Sequence, residues 1–429
     1  MNNIPEKAIL QFMREKRPDI IVKAPARINL INPLDAVEGD YWAPAMAISG
    51  GYNPLASYCY IKTYSYEEKT SKFCIYRSPK DNPNNIEIEK TAEFILDDLI
   101  DSENLDPIRK SDIFLGALAY LFDRIPEFKR FLRDQALEFG VFTSIPRQSG
   151  VGGSSALIIS ILWAIGCYCR FETRDPQSFS KFPFNRDVMG ELSTEIENHV
   201  LKNTAGYGDR YTISRGGIGF TSYVGKLDQP LMGDGPMAVY DRIDRTYSID
   251  KIPIILGYSG VVHKSGDVHK IMRDKYLSGD ETLIALYKEL AEISWKSRYS
   301  LMKHDWKSLG EHFKKNAEIS EKIMKHCGFK FGIGWANKIL IDLIKDNPDV
   351  YAVKLSGAGG GGSVFALVNR DKKEQITKLW REKLQKILKT PEKIKEKFPE
   401  LSIEEIIQLE NSKFFQISIN TKGVTKLSI

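Results

Sequence analysis

The sequence predicts an α+β protein built from two domains. Its 429 residues exceed the length of one ordinary domain, which is about 100 to 200 residues. Short strand-like runs and long helical patterns follow one another without the regular alternation of a doubly wound parallel sheet. Proline and glycine cluster at Gln229–Pro236 between two strand-like runs, so we place a boundary there and predict domains at residues 15–230 and 237–429.

The individual elements follow from apolar periodicity. Short apolar or alternating runs bounded by turn residues predict strands, and apolar residues three or four positions apart predict helices. The expected strands are Ile20–Leu30, several within residues 40–75, Phe139–Thr143, Ile218–Val224, Ile252–Gly257, Val350–Leu355 and Ser363–Val368. The expected helices are Ser111–Phe122, Ser154–Cys169, Asp187–Leu201, Glu281–Met302 and Trp306–His326. The lysine-rich region after Lys372 is interpreted as solvated helix.

Composition argues against several classes of protein. With 61 basic and 56 acidic residues the net charge is only +5, which gives little support to nucleic-acid binding. The five cysteines lack CxxC spacing, so neither a zinc site nor a disulfide framework is indicated. Residues 1–17 lack the apolar core of a signal peptide, and the longest apolar stretch, Ala156–Tyr168, is shorter than the roughly 18 residues that span a bilayer. We expect a cytoplasmic protein without a membrane anchor, and the oligomeric state is left open.

A glycine–serine loop at Ile145–Ala156 carries the strongest chemical signal. Glycines 150, 152 and 153 let backbone N–H groups approach an anion, and a helix that begins near Ser154 adds unpaired N–H groups and the positive end of its dipole. The hydroxyls of Ser154 and Ser155 could cap that helix or ligate a magnesium ion shared with phosphates. The loop therefore predicts a phosphate site, with a serine-capped glycine turn as the alternative.

A second glycine cluster, at Lys354–Val364, matches GxGxxG at positions 357, 359 and 362. A dinucleotide-binding loop must open a helix, whereas Ser363–Val368 is expected to be a strand. The protein-kinase interpretation fails because no HRD or DFG triplet occurs, and no GxxxxGK[ST] string is present anywhere. A tight loop packed against a ligand or another backbone is expected, and an oxidoreductase would require a helix after Gly362.

Three segments resemble, in order, the three signature motifs of the GHMP kinase superfamily of galactokinase, homoserine kinase, mevalonate kinase and phosphomevalonate kinase. They are Lys23–Leu30, Ile145–Ala156 and Lys354–Val364. The resemblance implies an N-terminal domain like the second domain of ribosomal protein S5 and a ferredoxin-like C-terminal domain. ATP and the substrate would lie between the two domains.

The resemblance also implies which residues hold ATP and magnesium. The ATP phosphates would be bound by Ser149, Gly150, Val151, Gly152, Gly153, Ser154, Ser155 and Ala156. Mg²⁺ would be ligated by Ser155 and by Glu197, since Glu197 matches the family's helical glutamate that precedes an aspartate in a small-residue loop.

That aspartate is Asp209, in the loop Thr204–Asp209. Its carboxylate could orient or deprotonate an attacking hydroxyl, and an Asx turn is the alternative. Arg27 stands where the family places a cation near the transferred phosphoryl group, and a guanidinium there would stabilise charge on its oxygens. The alternative for Arg27 is a strand-end charge paired with a surface carboxylate.

Substrate contacts are expected from Asp35, Asp209, Gly357 and Gly359. Asp35 occupies the place of an aspartate that grips substrate hydroxyls in sugar kinases of the family, although the glycine usual before this turn is missing here. After the strand at 252–257, His263 or Lys264 could also reach the nucleotide or the substrate.

These residues predict a kinase that transfers the γ-phosphoryl group of ATP to a hydroxyl of a sugar or sugar-acid. Asn32–Pro33 before Asp35, and Ile145–Gln148 before the glycines, look most like glucuronokinases and related sugar 1-kinases. A heptose phosphate, inositol or a mevalonate-type acceptor is the alternative. A catalytically silent ligand sensor on the same fold would have less need for both Glu197 and Asp209.

Overall fold

The structure of the protein is a computed structural model. It describes residues 4–31, 37, 43–64, 70–77, 88–96, 113–124, 129, 136–173, 185–222, 231–234, 237–261 and 265–428. Asp35, His263 and Lys264 lie outside the described residues, as does the turn that the sequence places at 80–85.

The described strands belong to one 13-stranded sheet. They are β1 (Ile20–Asn29), β2 (Ala43–Gly50), β3 (Ala56–Thr63), β4 (Lys72–Arg77), β5 (Glu89–Ile95), β6 (Leu137–Thr143), β7 (Ile218–Ser222), β8 (Val239–Arg242), β9 (Ile254–Tyr258), β10 (Val350–Leu355), β11 (Ser363–Val368), β12 (Lys413–Ile419) and β13 (Thr425–Lys426). The main path through the sheet is β10-β11-β9-β12-β2-β1-β3-β6-β4-β5. Among these strands only β4 and β6 pair in parallel, so the α+β prediction is confirmed.

Helices cover both halves of the sheet. The described α-helices are α1 (Glu6–Glu15), α2 (Ile113–Arg124), α3 (Gly153–Thr173), α4 (Arg186–Glu195), α5 (Gly208–Arg215), α6 (Ile243–Thr246), α7 (Ser265–Leu277), α8 (Glu281–Met302), α9 (Trp306–His326), α10 (Trp335–Ile344), α11 (Lys373–Leu388), α12 (Glu392–Lys397) and α13 (Ile403–Ile407). A π-helical turn, Ile196–Val200, continues α4. The predicted bounds of α8 and α9 are confirmed. Helix α5 was not predicted, and it begins within what the sequence suggested was a polar loop through Asp209.

Strand β1 is buried on both faces, because successive side chains of a strand point to opposite sides. Ile20 and Val22 belong to the main core, which includes the inner side of α3, and Ile21 packs in a separate core with Ile9 and Met13 of α1. A third core lies between the strands β9 to β11 and the helices α10 and α11. The strand that carries Arg27 is therefore held rigidly between two layers.

Strand β12 occupies the middle of the sheet and joins its two halves. Gln416 pairs with Ile255 of β9, and Ile417 pairs with Gly50 of β2. The interpretation of the region after Lys372 as solvated helix is therefore wrong for β12 and β13, although it is right for the outer face of α11. The alternation of buried Phe415 and Ile417 with exposed Gln416 and Ser418 was the available sequence signal.

Three strands that follow residue 237 pair with strands that precede residue 230. Besides β12, these are β8, which pairs with β7, and β13, which pairs with β1. The domain limits 15–230 and 237–429 stay a prediction.

Candidate active site

The glycine–serine loop connects β6 to α3, so the predicted order of strand, loop and helix is confirmed. Gly150 and Gly152 adopt φ values of 70° and 78°, a conformation that favours glycine. The carbonyl oxygen of Gly152 accepts a hydrogen bond of 2.9 Å from the N–H of Ala156, which begins the helical ladder. The N–H groups of Gly153, Ser154 and Ser155 therefore form the open first turn of α3, where an anion is stabilised.

Two buried hydroxyl groups beside this loop lack a hydrogen-bond partner among the described residues. They are Ser149 Oγ and Ser363 Oγ. Ser149 lies within the first glycine loop, and Ser363 begins β11 directly after the second, so both hydroxyls are available to bond a polar ligand bound there. Ser155 lies in the first turn of α3 and is almost completely buried.

The second glycine loop, residues 356–362, packs directly against the first. A Cβ atom built on Gly357 would lie 2.9 Å from the carbonyl oxygen of Gly150, and the Ser356 hydroxyl donates to that same oxygen at 3.3 Å. Strand β11 follows this loop, so the oxidoreductase alternative, which requires a helix there, is wrong. The close approach of another backbone, one of the two packing arrangements expected for this loop, is therefore confirmed.

Gly359 lies on the far side of the second loop. Its φ is 99°, and a Cβ there would lie 3.0 Å from Met324 Cε of α9. The Gly360 N–H donates to the Ile333 carbonyl oxygen at 2.9 Å. The Asn337 side-chain amide of α10 donates to the carbonyl oxygens of Ile333 and Gly361, both at 2.9 Å, which fixes this part of the loop. Roles for Gly357 and Gly359 in substrate binding stay predictions.

Arg27 and Asp209 form a buried, bidentate ion pair. Both Nε and Nη2 of Arg27 donate to the Asp209 carboxylate, and its Nη1 donates to the Gly150 carbonyl oxygen at 2.7 Å. The backbone N–H of Arg27 also bonds to the Val151 carbonyl at 3.0 Å. Asp209 is only 7% exposed, so the alternative in which Arg27 pairs with a surface carboxylate is wrong. Cation and carboxylate thus meet at the phosphate loop.

The structure corrects the local setting of Asp209. The sequence suggested a loop from Thr204 to Asp209, but Asp209 lies in the first turn of α5. Short helices with alternating polar and apolar residues give no helical period, which explains the error. The side chain of Asp209 contacts Arg27 and does not cap the helix, so the Asx-turn alternative is wrong.

Glu197 lies in the π-helical turn and faces Arg210, the residue after Asp209. Arg210 donates to Glu197 Oε2 and, at 2.8 Å, to the Gly206 carbonyl, and its Nη1 is 3.6 Å from Asp209 Oδ2. Glu197 Oε1 is buried and has no hydrogen-bond partner among the described residues. One free carboxylate oxygen is the donor that a hard cation such as Mg²⁺ takes.

The described residues contain no group of three or more His, Cys, Asp and Glu side chains arranged for a metal ion. Mg²⁺ needs only one or two protein oxygens when phosphates supply the others. The free oxygen of Glu197 and the hydroxyl of Ser155 fit that chemistry, so both stay predicted ligands.

Three residues that the sequence did not single out for a role also belong to this region. Arg210 links the two carboxylates described above. Lys354 Nζ is buried and donates to the Asn29 carbonyl at 3.2 Å and the Leu355 carbonyl at 2.7 Å, which ties β1 to the start of the second loop. His269 of α7 has a buried, unpaired Nδ1. No sequence spacing marks His269, since it is a single residue on a helix.

His269 is neutral at physiological pH. Burial lowers the pKa of its imidazole to about 3, against a smaller opposing effect of the Asp209 carboxylate. Arg273, one turn further along α7, donates to the Ala205 carbonyl at 3.2 Å, so this face of α7 lies against the segment that leads to Asp209. A neutral imidazole there can donate a hydrogen bond to a hydroxyl group or accept one from it.

Family models match both parts of the chain. The model described as GHMP kinases N terminal domain matches residues 112–217, and the one described as GHMP kinases C terminal matches residues 297–386. The chain belongs to the GHMP kinase superfamily, and it is an ATP-dependent phosphotransferase that acts on a hydroxyl group. The two-domain fold implied by the three motifs is thereby confirmed.

Individual relatives are distant. The chain is 24% identical to probable glucuronokinase 2 of Arabidopsis thaliana, over 62% of this chain and 70% of that protein. It is 23% identical to D-glycero-alpha-D-manno-heptose 7-phosphate kinase of Campylobacter jejuni, over 59% of this chain and 69% of that one. The crystal structure of Lactococcus lactis galactokinase complexed with galactose superimposes with a TM-score of 0.62 at 16% identity and covers 98% of this chain and 100% of its own. That structural likeness concerns the fold alone.

Among the described residues no helix is both long and apolar enough to cross a membrane.

Proposed function

We propose that the protein phosphorylates a hydroxyl of a sugar or sugar-acid, with a glucuronokinase-like sugar 1-kinase reaction favoured. The observation that carries this proposal is the buried Arg27–Asp209 pair beside the Gly150 carbonyl. A base and a cation at the mouth of a phosphate loop are what transfer to an alcohol requires.

In the proposed reaction the acceptor oxygen attacks the γ-phosphorus of ATP, and the bond between that phosphorus and the β,γ-bridging oxygen breaks. The hydroxyl proton passes to the Asp209 carboxylate, and ADP leaves with the bridging oxygen. Each carboxylate oxygen has two lone-pair sites, so Asp209 can bond Arg27 and still accept this proton. Arg27 stabilises charge on the transferred phosphoryl oxygens.

The residues from Ser149 to Ala156 would hold the ATP phosphates through their N–H groups and hydroxyls. Ser155 and Glu197 would hold Mg²⁺, which neutralises charge on the phosphates when bound. Asp35, Gly357 and Gly359 stay predicted substrate contacts, and a cytoplasmic location stays the expectation.

The choice of acceptor rests on the first-motif and second-motif details at Asn32–Pro33 and Ile145–Gln148 and on the names of the relatives. Glucuronokinase favours a sugar-acid, whereas the heptose 7-phosphate kinase supports a phosphorylated sugar as the second candidate. Both acceptors have a negatively charged group, and both are compatible with the same ATP-binding residues.

The test is ADP release by the purified protein with ATP, Mg²⁺ and a panel of glucuronate, galacturonate, neutral sugars, heptose phosphates, inositol and mevalonate. We expect turnover on a uronic acid. Turnover on a heptose phosphate or mevalonate alone would contradict the proposed acceptor but support the proposed kinase reaction. ATP binding without turnover on any acceptor would favour the silent ligand-binding alternative.

A further inference from the structure

A cleft of about 860 Å³ lies at the C-terminal end of α5, at the opposite end of this helix from Asp209. We call it the Arg186 cleft. Its cationic lining residues are Arg186, Arg215, Arg242, Arg245 and Lys422, and its carboxylates are Asp244 and Asp250. The lining therefore carries a surplus of positive charge.

Only part of this charge is neutralised by the described residues. Arg215 pairs with Asp187 at 2.7 Å, and Arg242 pairs with Asp244 at 2.7 Å. With the described residues, Arg245 and Lys422 form no side-chain ion pair, and both are exposed. Even with Asp187 included, positive groups outnumber negative ones around the cleft.

Arg186 is the most constrained of these cations. Among the described residues its guanidinium donates only to main-chain carbonyls, including those of Ser214 and Val424 at 3.0 Å. Its pKa is lowered by burial and by the neighbouring charges of Arg215, Arg242 and Arg245. The group stays charged, because arginine does not lose its proton in proteins. A bound anion would relieve this repulsion.

We propose that the Arg186 cleft is a second ligand site, which binds the phosphate group of a phosphorylated small molecule. Guanidinium groups match phosphate because they donate two parallel hydrogen bonds. The volume falls in the range of about 300 to 1,000 Å³ that is usual for small-molecule sites. Hydroxyl groups of Ser248, Thr421 and Thr425 also line the cleft and can bond the rest of such a ligand.

The cleft is connected to the active site through α5. Asp209 lies in its first turn and Arg215 in its last, about 9 Å apart at 1.5 Å per residue. Arg186 and Arg242 donate to the last carbonyls of this helix, at Ser214 and Arg215. A phosphate group that binds these guanidinium groups would weaken their hydrogen bonds to the end of α5. Because Asp209 lies on the same helix, occupancy of the cleft should alter the KM for ATP or for the acceptor.

Calorimetric titration of the full chain with inorganic phosphate and with glucose 6-phosphate tests the proposal, in the presence of saturating ATP. The double variant Arg245→Glu and Lys422→Glu reverses two exposed cleft charges and leaves Arg186 in place. The matched control is Lys296→Glu and Lys378→Glu, which changes the net charge equally at exposed helix positions. Melting curves establish that both variants fold.

We expect the cleft variant to weaken binding of at least one probe by tenfold or more, and the control to change it less than twofold. Preference for glucose 6-phosphate would identify a phosphorylated metabolite, and equal binding would identify phosphate itself. Absence of binding by the natural chain in the presence of ATP, or equal weakening in both variants, would overturn the proposal. So would displacement of the probe by a short oligonucleotide. Binding is measured without turnover, so its outcome is independent of the proposed kinase reaction.

Discussion

The two glycine loops look alike in the sequence but use their polar groups in opposite ways. The first, at residues 145–153, leads into a helix and, within the described part of the chain, leaves first-turn N–H groups and the Ser149 hydroxyl without hydrogen-bond partners. The second, at 356–362, leads into a strand, and its polar groups form hydrogen bonds within the protein. The Ser356 hydroxyl donates to the Gly150 carbonyl oxygen, and the Gly360 N–H donates to the Ile333 carbonyl oxygen. Glycine content allows close approach in both loops. The difference lies in the element that follows, because a helix leaves its first-turn N–H groups available for a ligand whereas a strand uses its N–H groups in the sheet.

The largest predicted effect tests whether chemistry belongs to the first loop. Asp209→Asn should reduce turnover on the order of 10²-fold or more, because the amide cannot accept the hydroxyl proton. ATP affinity should be kept, since the loop N–H groups remain. Rates and ATP binding are measured on the same preparations.

Asp342→Asn is the matched control for this change, since Asp342 is a carboxylate of α10 that pairs with Lys345 at 2.6 Å and belongs neither to the phosphate loop nor to the Arg186 cleft. Its turnover should be close to that of the natural chain. Equal turnover in the Asp209 variant and the natural chain would remove Asp209 as the base.

The second prediction tests whether the second loop supports the first. Gly357→Ala places a Cβ 2.9 Å from the Gly150 carbonyl oxygen and must push the loops apart. That oxygen also receives Arg27, so we expect ATP affinity to fall by about tenfold and turnover to fall with it. Fluorescence titration with an ATP analogue measures the first effect.

Gly51→Ala controls for glycine replacement, because among the described residues its Cβ would have one neighbouring atom within 4 Å, the Gln416 carbonyl oxygen at 4.0 Å. We expect ATP affinity and turnover there to be unchanged. An unchanged ATP affinity in the Gly357 variant would show that the second loop does not position the first.

What the sequence could predict depended on how local the signal was. The first loop and the helices α8 and α9 have their periodicity or glycines within a few residues, so their positions were predictable. The Arg27–Asp209 pair joins residues 182 positions apart, and only the family resemblance linked them. Strand β12 was missed because its alternating residues lie in a lysine-rich region whose composition dominated the interpretation. The burial of the His269 Nδ1 atom, which has no hydrogen-bond partner among the described residues, depends on tertiary packing, for which a single sequence offers no signal.

The third prediction, with a smaller effect, compares one serine from each loop for its influence on ATP affinity and on stability. Ser149→Ala removes a buried, unpaired hydroxyl, so we expect unchanged stability and an ATP affinity reduced about fivefold, near 1 kcal/mol. Ser356→Ala removes the hydrogen bond to Gly150, so it should lower the free energy of unfolding by about 1 kcal/mol with less effect on ATP. Thermal melts and ATP titrations of both variants check the pair. Identical profiles would mean that the loops are not used differently.

The last prediction concerns His269, whose imidazole interacts electrostatically with the first loop's partner Asp209. Its pKa is about 3 in the folded protein and about 6.5 in an unfolded chain, so the unfolded state binds more protons between these values. Its contribution to stability is therefore complete above pH 6.5 and is lost as the pH falls toward 3, by at most about 1.4 kcal/mol per pH unit.

His269→Gln keeps polar atoms but does not titrate. Denaturant unfolding of this variant should therefore show a smaller decrease in the free energy of unfolding between pH 6.5 and 5 than the natural chain shows. Parallel curves for the two proteins would show that the imidazole is protonated in the folded state as readily as in the unfolded chain. In that case the assignment of His269 as a neutral group available to an acceptor hydroxyl would fall.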